Sequence, residues 1–122
     1  MVALLKGSPE AVEKLREIAN DGSPVVTTII TVYELLKGAS LSSKREENLI
    51  DVKEAISNIQ VLNLTPEACA EASNIFTELK KSGKIIGEFD ILIAAIAKTN
   101  GECILTRDRH FNAVKGIDLI QW

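Results

Sequence analysis

The sequence predicts an α/β domain with a mostly parallel sheet that is covered by helices on both faces. Short apolar or β-branched segments of strand length alternate along the chain with segments in which apolar residues recur every three or four positions. This alternation is typical of a parallel sheet, because a crossover between parallel strands is usually a helix. With 122 residues, 46% of them hydrophobic, the chain is long enough for one core, and we expect a single domain over residues 1–122.

The first elements are a helix, a strand and a second helix. Residues 9–21 (PEAVEKLREIAND) have an amphipathic helical pattern that opens with a proline and runs into the stop signal DGSP. Residues 24–30 (PVVTTII) form a β-branched run of strand length. TVYELLKGAS then changes to a helical pattern, and we expect Gly38 to end that helix. This strand therefore leads directly into its helix.

The remaining segments continue the alternation. Ser43 and Glu46 have the spacing of a capping box and precede a helix with an apolar stripe, followed by the short strand QVLNL. Thr65 and Pro66 begin a helix that KKSGK ends, and a further helix covers about residues 88–99. The segments ECILT and IDLIQW are predicted as the last two strands.

Composition excludes several classes of protein. A net charge of −3 argues against a polyanion-binding protein that works through a large basic surface. Cys69 and Cys103 lack zinc-site spacing and read as reduced core residues. The chain has neither an apolar stretch of about 20 residues nor the pattern of a signal peptide, so we expect a cytoplasmic protein.

Three carboxylates are predicted at one edge of the sheet. Glu34 lies near the start of the helix after the strand of residues 24–30, Asp90 begins its own helix, and Asp108 follows the strand ECILT. Glu34 and Asp108 each follow the carboxyl end of a strand, where the active crevice of parallel sheets lies. The helix that Asp90 begins, about 10 residues long, and the strand that returns after it are expected to bring Asp108 back near Asp90. Converging carboxylates repel one another unless a cation or shared protons neutralise them, and several oxygen ligands suit Mg²⁺ or Mn²⁺.

A structural role is the alternative for each acid. Asp90 alone would be explained by the stabilisation of negative charge at a helix N-terminus, and ion pairs also occur without any site. Three acids at matching positions favour a site. Ala94 and Ala97 lie below Asp90 on the helix, and such small residues allow close packing that fixes the carboxylate.

The chain resembles the PIN-domain ribonucleases, in particular the VapC-type toxins of toxin–antitoxin pairs. TVYELLKGA is similar to the family's second acidic motif, FDILIAAIAKTNGECILTRDRHF to its third and fourth motifs, and IDLIQW to its closing strand. The resemblance implies a three-layer αβα sandwich. MVALLKG resembles the segment that follows the family's first motif, so the first strand and the first metal-binding aspartate are expected to be missing.

The resemblance also implies a function. It predicts an endoribonuclease that hydrolyses RNA phosphodiester bonds with Mg²⁺ or Mn²⁺, and a toxin partnered by a VapB-like antitoxin and commonly a homodimer. Glu34, Asp90 and Asp108 would be both the catalytic and the metal-binding residues. Asp108 is the most variable of these positions, because some members place an acid where His110 stands here.

Two other interpretations remain open. One is a non-catalytic PIN-like remnant that acts as a binding module, because the first aspartate is absent. The other is a receiver-like acidic pocket for Mg²⁺, which the lack of a suitable strand-end lysine disfavours. Several nearby residues are assigned structural or surface roles, with RNA contact as the alternative for the cationic ones: Lys80, Lys81, Lys84, Glu88, Thr106, Arg107, Arg109, His110. Trp122 and the stripe of residues 49, 52, 56 and 59 are expected in the core or at a dimer or antitoxin surface.

Overall fold

Strands and helices alternate through the part of the chain that the computed structural model describes, which is residues 3–5, 9–22, 25–106 and 108–121. The elements in chain order are β1 (Ala3–Leu5), α1 (Pro9–Asn20), β2 (Val26–Thr28), α2 (Ile29–Leu41), α3 (Arg45–Ile56), β3 (Gln60–Leu62), α4 (Pro66–Lys81), α5 (Glu88–Thr99), β4 (Cys103–Thr106), a 3-10 helix (Arg109–Ala113) and β5 (Leu119–Gln121). None of these helices is both long and apolar enough to cross a bilayer.

All strand pairs of the described chain are parallel, as the sequence predicts. One ladder has the order β1-β4-β5, with Leu4 opposite Ile104 and Ile104 opposite Leu119. A second ladder joins β2 to β3, and β1 also contacts β2. The carboxyl ends of β1, β4 and β5 therefore lie at one edge, from which the chain continues into the loop that bears Asp108.

The sheet has an opening strand, although the family's first strand was expected to be missing. Residues Ala3–Leu5, within the segment thought to follow the family's first strand, form β1 and pair with β4. Their apolar side-chain types and the parallel partner make a strand favourable there. The residues of β1 include no acid, so β1 itself supplies no carboxylate at the sheet edge.

Helices cover both faces of the strands. On one face α4 packs against α5, and Ile75 and Ile93 belong to the main apolar cluster together with Ile104 of β4. On the other face Leu105 packs in a cluster with Ala55 of α3. Successive residues of β4 point to opposite faces, which explains why all four of its side chains are buried. The predicted αβα arrangement is confirmed.

Three local predictions differ from the structure. β2 ends at Thr28 rather than at residue 30, because the Thr28 hydroxyl caps α2 by accepting the Thr31 N–H at 3.0 Å. Gly38 does not end α2, which continues to Leu41. Ser43 does not cap α3, whose N-cap is Lys44 without a side-chain bond, so Glu46 is one residue too early for a capping box.

The apolar stripe of α3 contributes to a small core. Val52 is buried against Leu35 and Ala39 of α2, and Leu49 and Ile56 pack beside them. The core interpretation of this stripe therefore fits the structure. Trp122, for which we predicted a core or interface position, lies outside the described residues.

Candidate metal centre

Asp90 lies in the first turn of α5 and is buried, with 6% of its surface exposed. The N-cap of α5 is Gly87, which has no side chain to offer the free N–H groups of the first turn. A Cβ placed on Gly87 would lie 3.8 Å from Asp90 Oδ2, so the carboxylate sits directly over the helix start. The positive end of the helix dipole favours a negative charge there.

The body of α5 fixes this carboxylate. Ile93, Ala94 and Ala97 are completely inaccessible to solvent. Because the predicted small residues lie in the core, α5 packs closely on the strands and α4. A displacement of Asp90 along the helix axis would therefore disturb a close-packed interior.

Asp108 follows β4 in a loop that is held by side-chain hydrogen bonds. The Asp108 backbone N–H donates to the Thr106 hydroxyl at 2.9 Å. The Asp108 Oδ1 accepts the His110 N–H at 2.9 Å and also lies 3.2 Å from His110 Nδ1. Asp108 thereby caps the 3-10 helix, and the fully buried Phe111 anchors that helix in the core.

The structure brings Asp90, Asp108 and His110 together. One potential ligand atom from each residue lies within 4.8 Å of the others. Their exposure increases from the buried Asp90 through the half-buried Asp108 to the exposed His110, so the cluster opens to solvent on one side. Two carboxylates and an imidazole form a donor set that suits a divalent cation with oxygen and nitrogen ligands.

Glu34 lies in the first half of α2 and does not belong to this cluster. Its Oε1 atom is shielded from solvent, and α2 contacts α5. The neighbouring residues Tyr33 and Phe89 make an edge-to-face contact with ring centroids 5.6 Å apart. Within the described residues, the group of ligand atoms within 4.8 Å includes His110 rather than Glu34.

Several residues around the cluster take clear positions. Thr106, for which we expected a structural role, is buried and orients Asp108 through the hydrogen bond described above. Lys84, Arg109 and His110 line an open groove of about 420 Å³. Glu88 is exposed at the helix start. Arg107, considered as an RNA contact, lies outside the described residues.

Sequence comparison relates the whole chain to known proteins. The sequence profile of the PIN domain matches residues 1–117. The chain is 32% identical to "Ribonuclease VapC2" of Haemophilus influenzae over 123 residues, which cover 100% of this chain and 92% of that protein. It is also 32% identical to the "tRNA(fMet)-specific endonuclease VapC" of Shigella flexneri, over 97% of this chain and 89% of that one.

Structural comparison gives the same family. The DNA-bound VapBC of Salmonella typhimurium aligns with a TM-score of 0.86 at 26% identity, covering 100% of this chain and 99% of that chain. VapBC2 of Rickettsia felis, bound to a promoter DNA fragment, has the same fold with a TM-score of 0.84 at 22% identity and the same coverage. The acids of the candidate metal centre thus occur in a PIN fold, and the chain belongs to the VapC ribonucleases of the PIN-domain family.

Proposed function

We propose that this protein is a divalent-metal-dependent endoribonuclease and the toxin component of a VapBC-like toxin–antitoxin pair. The observation that supports it is the convergence of Asp90 and Asp108 at one edge of the sheet, with a ligand atom of each within 4.8 Å of the other. Membership of the VapC ribonucleases supplies the class of reaction. The donor set fits the ion that such a reaction needs.

Asp90 and Asp108 would hold Mg²⁺ or Mn²⁺, and Glu34 would hold metal or orient the attacking water. A bound divalent ion lowers the pKa of a water ligand and stabilises the charge that develops on the phosphate oxygens. The burial of Asp90 keeps bulk water away from one side of the centre, whereas the exposed side near His110 leaves room for a phosphodiester. Glu34 lies in α2, which contacts α5, and its carboxylate is outside the close group.

An RNA strand needs cationic contacts, and the groove beside the centre offers them. Lys84 and Arg109 line this groove together with His110. The chain carries a net charge of −3, so local cations rather than the overall charge must attract phosphates. We propose that the strand leaves the metal centre along this groove.

The test of the reaction is cleavage of end-labelled single-stranded RNA with Mg²⁺ or Mn²⁺. Asp90→Asn keeps the size of the side chain but removes the charge, and we expect it to lower cleavage at least about a hundredfold, since even indirect partners of a metal contribute 10–100-fold. EDTA should have the same effect. Asp51→Asn, on the exposed surface of α3 beside Arg16, is the matched control and should cleave normally.

A direct measurement of metal binding distinguishes loss of the metal from other causes of lost RNA cleavage. Titration of the protein with Mn²⁺ should show saturable binding that Asp90→Asn weakens and Asp51→Asn leaves unchanged. If the native chain binds Mn²⁺ but cuts no RNA, the binding-module interpretation replaces the nuclease. If Asp90→Asn cuts RNA as fast as the native chain, the proposed centre is wrong.

The groove has its own test in the cleavage-deficient Asp90→Asn background. Lys84→Ala and Arg109→Ala should each weaken RNA binding, measured by fluorescence anisotropy. Each should also reduce the slope of log affinity against log salt concentration by about one, the amount expected for one lost phosphate contact. Lys53→Ala, in the last turn of α3, should change neither. Equal effects of all three variants would show that the strand does not follow this groove.

The remaining partners follow from the family. The neighbours of this fold are toxin–antitoxin complexes, so we propose a VapB-like antitoxin that covers the acidic pocket, a homodimer, and a cytoplasmic location. Co-expression with a VapB-like protein should suppress the growth defect that the chain alone causes. Asp90→Asn should remove that defect without the antitoxin.

A further inference from the structure

The geometry points to a nitrogen ligand in this centre: we propose that His110 binds the divalent ion directly and makes the site prefer Mn²⁺ over Mg²⁺. This inference rests on the proposed function, because it concerns the same metal centre. In a centre of carboxylates alone, the imidazole would be a surface group. Here we assign it to the metal ligands.

Distances support a shared ion. A nitrogen of His110 lies within 4.8 Å of an oxygen of both Asp90 and Asp108. The separation of His110 Nδ1 and Asp108 Oδ1 is 3.2 Å. Neighbouring ligands of an octahedral ion with bonds of about 2.1 Å are about 3 Å apart, so the two atoms can occupy adjacent corners without rearrangement of the loop.

The backbone position of His110 is set by the surrounding structure. His110 lies in the 3-10 helix that Asp108 caps, and its own N–H donates to Asp108 Oδ1 at 2.9 Å. Phe111, the next residue, is fully buried and ties this helix to the core. The backbone of His110 is therefore fixed, while its side chain is 65% exposed and free of core packing.

The chemistry of the donor set gives the selectivity. Mg²⁺ strongly prefers oxygen ligands, whereas imidazole nitrogen suits transition metals better. A centre with two carboxylates and one imidazole should therefore hold Mn²⁺ more tightly than Mg²⁺. The competing role for His110 is to donate an Nδ1–H bond to Asp108 that only orients the carboxylate. In that case His110→Ala would leave the preference for Mn²⁺ over Mg²⁺ unchanged.

The composition of the chain makes the test direct. His110 is the single histidine in the sequence, so in protein prepared without a histidine tag any imidazole bound to the ion belongs to it. Electron spin-echo envelope modulation of the Mn²⁺-bound protein reports coupling to a ligating nitrogen and does not depend on cleavage. Competition between Mn²⁺ and Mg²⁺ gives the ratio of their dissociation constants.

We expect nitrogen coupling in the native protein and in the control variant Asp51→Asn, on the exposed surface of α3. His110→Ala should abolish the coupling and weaken Mn²⁺ at least about tenfold while changing Mg²⁺ much less. His110→Asp should restore tight binding with a preference shifted toward Mg²⁺, because all its ligands are then oxygens.

Two outcomes would overturn the inference, and they differ in what else they reject. Mn²⁺ binding that Asp90→Asn weakens, but without nitrogen coupling and with the same ion preference in His110→Ala, would make His110 a positioning residue and leave the nuclease proposal intact. Failure of the native protein to bind either ion would reject both the ligand role of His110 and the metal centre.

Discussion

Replacing Thr28 by valine should destabilise the fold more than an ordinary capping mutation does. The Thr28 Oγ1 accepts the N–H of Thr31 at 3.0 Å and lies 3.0 Å from the Thr31 hydroxyl. Both side chains are completely buried. Valine keeps the volume and branching of threonine but removes the hydroxyl, so the change leaves two polar groups of Thr31 without this partner.

The expected magnitude follows from these contacts. Loss of an N-cap costs about 1 kcal/mol and at most about 2 kcal/mol. A buried hydroxyl that loses its partner adds about 1–3 kcal/mol. The sum, about 2–5 kcal/mol, is a large share of the stability of a domain of this size, which is about 5–15 kcal/mol.

Thr65 provides the matched comparison. Its hydroxyl caps α4 by accepting the Ala68 N–H at 3.1 Å, but Thr65 is exposed. Thr65→Val should therefore lower the free energy of unfolding by about 1 kcal/mol only. The difference between the two variants isolates the contribution of the buried hydroxyl pair.

Urea denaturation followed by circular dichroism measures both variants. With a slope of about 1–3 kcal/mol per molar urea, Thr28→Val should lower the transition midpoint by about 1 M or more, and Thr65→Val by less. The double variant Thr28→Val with Thr31→Val should lose less than the sum of the single changes, because the second removes the unpaired hydroxyl. Equal losses for Thr28→Val and Thr65→Val would refute the reasoning.

Two further predictions concern thiols and glycines. A thiol reagent at about pH 8 should label the exposed Cys69 of the native protein rapidly, whereas Cys103 should react only on unfolding, because burial raises the pKa of its thiol; rapid labelling of both would contradict this. Gly38→Ala should raise the free energy of unfolding by up to about 1 kcal/mol, since the added Cβ would meet no described atom within 4 Å beyond its chain neighbours and the backbone of its own helix. Gly116→Ala should lower it by about 1–2 kcal/mol, because Gly116 has a φ of +80° and the new Cβ would lie 3.2 Å from Lys98 Nζ; effects of the same sign would contradict the assignment.

The fold was predictable from the sequence because its signals are strong and local. The caps and apolar periods of α4 and α5 gave their starts at Thr65 and near residue 88. Alternation of strands and helices gave the parallel sheet. Boundaries were harder where two signals compete: residues 29 and 30 are β-branched but belong to α2, because the buried Thr28 cap determines where the helix starts.

The site was predictable in part. Topology alone placed Asp90 and Asp108 at one edge, and the structure brings them together. His110 belongs to this cluster because of the 3-10 helix, Arg109–Ala113. A segment of five residues is too short to show a periodic pattern in the sequence. The role of Thr106 had an available signal, since a threonine two residues before Asp108 can accept its N–H. The position of Glu34 relative to the other acids depends on the packing of α2 against α5, which sequence patterns do not specify.

The burial of α5 has a consequence for genetic screens of this chain. From Asp90 to Ala97 every residue except Leu92 is buried, so this stretch of α5 has almost no surface on which substitutions would be neutral. Inactivating alleles should therefore accumulate in α5 by two routes, loss of the carboxylate and loss of the folded protein. Abundance in cells separates them: Asp90→Asn should persist at the native level, whereas a larger residue at Ala94 should be depleted by proteolysis.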